Sequence, residues 1–373
     1  MSKIASGQMI IDQFERFSPR HLALEGDPGG LMIGSLNRPV QKVMITLDVL
    51  ETVVDEAIEK GVDLIIAHHP LIFSPVSSID VEKGQGPVIE KCIKHEISVY
   101  AAHTNLDITH GGVNDLLSAA IGLENTEVLI PTYEEDLKKV VAFVPQDHVE
   151  EVRQALGDAG AGHIGDYSHC TFSTDGTGTF IPGDETNPYI GKQGEMEFVS
   201  EKRMETIVPA HLEKEVLRAL ADAHPYEEPA YDVYPLDIKG ETFGLGRVGN
   251  LSTQETLADF AARIKEPLGV SQLRMIGPEH GTVQRIAVLG GDGNKYWEDA
   301  LKSGADVLIS GDIKFHTAQD ALMAGLYIID AGHYIEHVMK EGVKKQLQTS
   351  LSELNYDTEV FISERSTDPF KII

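Results

Sequence analysis

Two adjacent histidines, His68 and His69, followed by Pro70, close the apolar run Asp63-Leu64-Ile65-Ile66-Ala67, which reads as a buried strand of a parallel sheet. Ligands of open α/β sheets gather beyond the carboxyl ends of the strands, where neighbouring residues turn to different sides while staying close. Two imidazoles there could serve two metal ions, although a satisfied pair of partly buried histidines explains an isolated His-His equally well. The other polar residues that follow apolar runs decide between the two. His103 and Asp107 follow a second run, and Asp312, His316, His333, Glu336 and His337 follow two more near the other end of the sequence. Packing does not account for four such strand ends rich in His, Asp and Glu; a metal site does. Imidazole and carboxylate without thiolate suit the borderline divalent ions Zn, Fe, Mn, Co and Ni. A dinuclear site would need a bridging carboxylate such as Glu336, which shares a face with His333 at the start of a helix, and His337 competes for that place.

The elements that position these residues form a duplication. Lys42–His69 aligns without a gap onto Arg285–Asp312 at an offset of 243 (285 − 42), each copy reading strand, helix, strand, with Gly61 and Gly304 placed as helix C-caps. The match resumes where Ile97–His103 lies over Tyr327–His333 at an offset of 230 (333 − 103), so the second copy is 13 residues shorter (243 − 230), near residues 74–86. Helices of about ten residues between apolar strands imply right-handed crossovers and parallel pairing. Two related α/β halves are expected to face each other, their strand ends meeting at one cleft.

Between the halves lies a different pattern. Val144-Pro145 and the amphipathic stretch after it recur at Val208-Pro209, an offset of 64 (209 − 145), and strands are expected at Tyr167–Phe172 and Ala230–Tyr234. The order β-α-β-β-α-β predicts a ferredoxin-like arrangement. The expected fold is thus α/β: a duplicated core over residues 1–130 and 240–373, with an inserted ferredoxin-like α+β domain over 137–236. The insert's Gly176-Thr177-Gly178-Thr179-Phe180-Ile181-Pro182-Gly183 has neither a following Lys-Ser/Thr nor a GxGxxG feeding a helix, so it reads as a hairpin or interface loop rather than a phosphate cradle. His224-Pro225-Tyr226-Glu227-Glu228-Pro229 reads as a local turn, the alternative being a cover for a neighbouring subunit's metal cleft. Gly26-Asp27-Pro28-Gly29-Gly30 reads as a turn before a strand.

Composition narrows the class. The 31 Lys and Arg against 59 Asp and Glu give a net charge of −28, which opposes nucleic acid and anionic membranes as partners. Cys92 and Cys170 form no CxxC pattern, so neither a disulfide framework nor a zinc–thiolate site is indicated. The N-terminal residues lack the apolar core of a signal peptide, and no apolar run approaches the roughly 20 residues of a membrane span. A mature, soluble, cytoplasmic protein is expected.

The stretches Asp27…Gly30-Leu31…Gly34, Ala67-His68-His69-Pro70-Leu71-Ile72-Phe73, His103-Thr104-Asn105-Leu106-Asp107, Gly311-Asp312…Lys314…His316 and Gly332-His333…Glu336 together resemble the GTP cyclohydrolase 1 type 2 homologue family, also described as Ngg-interacting-factor-three-like proteins. The resemblance covers residues 1 to about 130 and 240 to 373. The insert with Gly-Thr-Gly-Thr-Phe is similar to the signal-transduction-protein-like insert of the longer, YqfO-like bacterial members. The resemblance implies two divalent metal ions per subunit, held by His68, His69, Asp107, His333 and Glu336 with Glu336 or Asp107 bridging. It also implies a homohexameric toroid whose sites face an inner cavity. Many members space the last His and Glu by four; here the spacing is three, and His337 stands at the fourth position.

Two such ions lower the pKa of water, and hydrolysis of a small-molecule substrate is the natural chemistry. The family name implies opening of the guanine ring of GTP, with His103 and His316 as candidates for proton transfer, or alternatively as residues that orient a ligand. A general metal-dependent hydrolase and a non-enzymatic metal-binding or regulatory scaffold, with the insert as sensor or gate, are the competing readings.

Overall fold

In the computed structural model, which describes residues 3–371, the chain divides into two compact units. One runs up to Tyr133 and resumes at Phe243; the other is Glu134–Thr242. The signal-peptide expectation at Met1 and Ser2 lies outside the described residues. Among the described residues no helix is long and apolar enough to cross a membrane.

The first unit carries the duplication. Strand Lys42–Thr46, helix Glu51–Lys60 and strand Leu64–Ala67 make one copy; strand Thr282–Asp292, helix Trp297–Lys302 and strand Val307–Gly311 make the other. Both strand pairs are parallel and share one register, Val43 opposite Leu64 and Ile286 opposite Val307, which keeps the offset of 243 (286 − 43 and 307 − 64). Gly61 closes the first helix at φ 67°, a left-handed conformation that glycine adopts without steric cost. The third strands, Ser98–Ala101 and Tyr327–Asp330, are parallel to their neighbours as well. Their ladders correct the alignment by one residue. Ala101 pairs with Ala67 and Asp330 with Ser310, an offset of 229 (330 − 101) rather than 230. The second copy therefore has an extra residue between strand and histidine, and Gly332 at φ 82° takes up the step.

Each sheet also has an antiparallel edge strand outside the aligned repeat: Gly30–Ile33 beside Ser98–Ala101, and Arg274–Ile276 beside Tyr327–Asp330. Glu359–Ile362 completes the first sheet, parallel to Lys42–Thr46. Because side chains alternate along a strand, each sheet buries two faces. Ile45, Ile66, Val288, Ile309 and Ile329 enter one continuous core with helices Gly7–Phe17, Val113–Ile121, Leu257–Ile264 and Met339–Glu353. Met44, Ile65 and Val99 face Glu51–Lys60 and Gly86–Lys94 on one outer side. Ala287, Leu308 and Ile328 face Trp297–Lys302 and Phe315–Met323 on the other. Covering both faces is what nearly all-apolar parallel strands require, and it leaves only the strand ends for polar chemistry.

The second unit has its own core, in which Val140, Val144, Met204 and Val208 from two strands meet Val152, Leu156, Val216 and Leu220 from helices Val149–Asp158 and Glu213–Ala223. Pro145 and Pro209 each end a strand, and a short 3₁₀ turn leads into each helix. Of the two readings of the Gly-Thr-Gly-Thr-Phe segment, hairpin or interface loop, the ladder favours the hairpin. The segment lies inside strand Thr171–Phe180, which begins later than the expected Tyr167 and pairs antiparallel with Glu197–Pro209, Gly176 opposite Glu201 and Phe180 opposite Glu197.

One buried charge ties the first unit together near the strand ends. Arg247, 2% exposed, donates from Nε to Asp115 Oδ1 at 2.6 Å and from Nη2 to Asp115 Oδ2 at 2.8 Å. Its remaining donors go to the carbonyls of Gly244, Gly246 and Thr109. The side chain thereby fixes the turn that follows Asp107 and the start of helix Val113–Ile121 against strand Tyr231–Thr256. Arg247→Met would leave Asp115 without its partner and should cost about 3 kcal/mol, read as a lower midpoint of urea unfolding; an unchanged midpoint would contradict this role.

Candidate metal centre

Each strand end delivers its polar residue in a fixed orientation. His68 is fully buried, and its Nδ1–H donates to the Ala102 carbonyl at 2.9 Å, which leaves Nε2 as a lone pair. Burial pushes its pKa down to about 3, so the ring is neutral. His68 Nε2 lies 3.5 Å from Asp107 Oδ1 and 3.8 Å from Glu336 Oε2, and neither Nε2 nor Asp107 Oδ1 has a hydrogen-bond partner. Two orphaned buried polar atoms facing each other are costly unless something between them binds both.

His69 turns the other way. Its Nδ1 meets Asp48 Oδ1 at 2.7 Å and its Nε2 meets Glu336 Oε2 at 3.0 Å. Burial works against its charge, but those two carboxylates outweigh it and lift the pKa to about 10. His333 repeats the arrangement from the other half, with Nδ1 2.7 Å from Asp312 Oδ2 and Nε2 3.3 Å from Glu336 Oε2. Glu336 chiefly, with Asp312, raises it to about 9 against the effect of burial. Burial alone would raise Glu336, yet His333 and His69 hold it far below the usual carboxylate range. Asp107 is pushed well above that range, first by burial and then by the nearby Glu336 charge. His103 completes the group: its Nδ1 lies 2.6 Å from Asp27 Oδ1, and Asp27 Oδ2 accepts from the Thr104 amide and hydroxyl.

Three overlapping sets of donors lie within 4.8 Å and could hold a metal ion: His68, His69 and His103; His69, His333 and Glu336; and His68, Asp107 and Glu336. The last two share Glu336. Behind the rings stands a second row, Asp48 on His69, Asp27 on His103, Asp312 on His333 and a carbonyl on His68, the pattern by which metal-ligating imidazoles are oriented. The donor set therefore fits divalent ions.

Not every expected residue reaches the cluster. His316 belongs to none of the three sets. It is exposed on helix Phe315–Met323, with Nδ1 3.2 Å from Gln319 Oε1, because the chain leaves Asp312 at φ 56° and starts a new helix at once. His337 does not compete with Glu336. Residues His333–Val338 form a 3₁₀ helix, in which positions three apart eclipse, so Glu336 stays with His333 while His337 turns away to the Leu268 carbonyl at 3.2 Å. Asp48 enters unannounced, although it follows strand Lys42–Thr46 at the same kind of end as His68, and Asp27, expected only as part of a turn and of the family motif, reaches His103.

Gly290 and Gly291 are further residues without an obvious signal. A Cβ would stand 3.0 Å from Glu336 Oε1 at Gly290 and 2.9 Å at Gly291, whose φ is 72°. Gly291→Ala should cost about 1–2 kcal/mol from the left-handed backbone alone and displace the Glu336 carboxylate. Elemental analysis should then show less bound metal than in the wild type; an unchanged metal content would contradict a cradle for Glu336.

Comparison with known proteins agrees with this fold. The model of the Duf34/NIF3 (NGG1p interacting factor 3) family matches residues 5–369. A Halalkalibacterium halodurans protein named GTP cyclohydrolase 1 type 2 homolog is 55% identical over 371 residues, and a Bacillus subtilis protein of the same name is 53% identical over 373 residues; each alignment covers 100% of both chains. A solved Bacillus cereus structure, described as a protein related to NIF3, superposes with a TM-score of 0.94 at 56% identity, covering 100% of both chains. The strand-end histidines thus stand in a chain that belongs to the Duf34/NIF3 (NGG1p interacting factor 3) family.

Proposed function

We propose that this protein holds two divalent metal ions and acts as a metal-dependent hydrolase. The observation that carries the reading is the sharing of Glu336 by two donor sets, one of which contains the orphaned His68 Nε2 and Asp107 Oδ1. In this reading His68, His69, Asp107, His333 and Glu336 would hold the ions, Glu336 being common to both donor sets. Divalent ions bound there would supply Lewis acidity and bring the pKa of water towards neutrality. The chain's own residues do the rest. Asp48 and Asp312 fix the rings of His69 and His333. Asp27, held below the usual carboxylate range because its bonds to His103 and Thr104 outweigh burial, keeps a proton on His103 Nδ1 and leaves Nε2 to take or deliver a proton at the cluster. His316 has no part in this scheme.

The relatives' name, GTP cyclohydrolase 1 type 2 homolog, supplies the reaction to test: hydrolytic opening of the guanine ring of GTP, with release of formate. A homohexamer with its sites facing an inner cavity, and a cytoplasmic protein with Cys92 and Cys170 free, belong to the same reading. So does a ferredoxin-like insert, which the twofold strand–turn–helix order of the second unit supports. A second, non-enzymatic reading, in which the insert is the sensor or gate of a metal-binding scaffold, is favoured by a cavity of about 850 Å³ within that unit.

Elemental analysis of the purified protein should find about two divalent ions per chain, and Glu336→Gln should lose most of them. Formate release from GTP should follow metal content and fall about 100-fold in His103→Asn. Metal-loaded protein that retains its ions and turns over no GTP would reject the cyclohydrolase reading and favour the scaffold.

A further inference from the structure

The cavity of the second unit is lined by strand Thr171–Phe180 and the segment after it, by Glu201 and Arg203, and by the turn that carries Tyr226. One wall is aromatic. The rings of Phe180 and Tyr189 lie 5.7 and 6.4 Å from that of Tyr226, and the Tyr189 hydroxyl is 3.0 Å from His148 Nε2. Glu201, 7% exposed, contributes a carboxylate whose Oε1 accepts from the Tyr226 hydroxyl at 3.0 Å. Among the described residues no ion pair reaches it. The guanidinium of Arg203, the one basic group in the lining, is engaged by Glu205.

Gly178 of the Gly-Thr-Gly-Thr-Phe strand serves this carboxylate. A Cβ on Gly178 would stand 2.1 Å from Glu201 Oε2, so only glycine lets the Glu201 side chain lie across the strand. The other acids of the lining are Asp175, Glu185, Glu227 and Glu228, and of these Asp175 is paired with Lys202 at 2.8 Å.

Four ligand classes can be weighed on these facts. An anion meets five carboxylates. A divalent metal needs several donor atoms close together, and among the described residues such groupings of three occur at the His68–Glu336 cluster and not here. A neutral ligand would cover Glu201 without balancing its charge, which is costly. An organic cation answers both features at once, since aromatic faces attract cations and the carboxylate supplies the counter-charge. We propose that this cavity binds a small organic cation, an ammonium group on an apolar body, with Glu201 as its counter-charge and Phe180, Tyr189 and Tyr226 as its cage. The site lies outside the metal centre and stands whether or not that centre is catalytic.

Titration calorimetry of the full-length protein tests it, with choline and phenethylammonium as probes and 3,3-dimethyl-1-butanol as the neutral isostere of choline. Saturable binding of at least one cation is expected, with none of the isostere. Affinity should weaken about tenfold or more in Glu201→Gln and in Tyr189→Leu, with circular dichroism and bound metal unchanged. Tyr189 is 57% exposed, so its replacement keeps the test intact if Glu201→Gln disturbs folding. No saturable binding of either cation, equal binding of the isostere, or full affinity in a folded variant would overturn the proposal.

Discussion

Glu336 is 3% exposed, and its Oε2 stands 3.0 Å from His69, 3.3 Å from His333 and 3.8 Å from His68, while Asp107 brings a second buried carboxyl to the same place. Taking such charge out of water is expensive unless positive charge balances it, and among the described residues no Lys or Arg pairs with either group. Histidines from both halves of the duplication surround it. The rest of the first unit is organised so that these groups meet: a single core between two sheets, outer helices over their far faces, and polar side chains left only at the strand ends.

The duplication explains how one residue type can serve in unlike ways. His68 and His69 follow the second strand of the first copy, while His333 follows the third strand of the second, one residue later than its counterpart His103 by ladder register. That shift, together with the 3₁₀ turn of His333–Val338, puts Glu336 rather than another histidine at the centre. His103 and His333 remain comparable in one respect: each is held at Nδ1 by an aspartate, Asp27 or Asp312, so both present Nε2. Asn114 links the halves again, donating to the Asp107 carbonyl at 2.9 Å and accepting from the Gly290 amide at 2.9 Å.

Much of this was legible in the sequence because it rests on local pattern. Apolar runs of four or five residues ending in His or Asp mark both the strands and the chemistry at their ends, and the gapless offset of 243 survives in the ladders to the residue. What was not legible depends on geometry that sequence spacing does not encode. Whether three or four residues separate positions on one face depends on the helix type, which decided between Glu336 and His337. Asp48 and Asp27 act across 21 and 76 residues of chain on His69 and His103, contacts that only folding creates. His316 has the right residue type but sits on the outer side of a helix. In the second unit the glycine-rich stretch suggested a hairpin or interface loop; it is a hairpin strand, and the crossing of Gly178 by the Glu201 side chain is what spacing does not encode.

The central claim is that two divalent ions share the Glu336 carboxylate. Anomalous-scattering diffraction from crystals of freshly purified protein tests it most directly, because it counts the ions, identifies them and shows their ligands. The account predicts two anomalous peaks, one among His68, Asp107 and Glu336 and the other among His69, His333 and Glu336. A single peak held by His68, His69 and His103 with Glu336 uninvolved, or no peak at all, would contradict it.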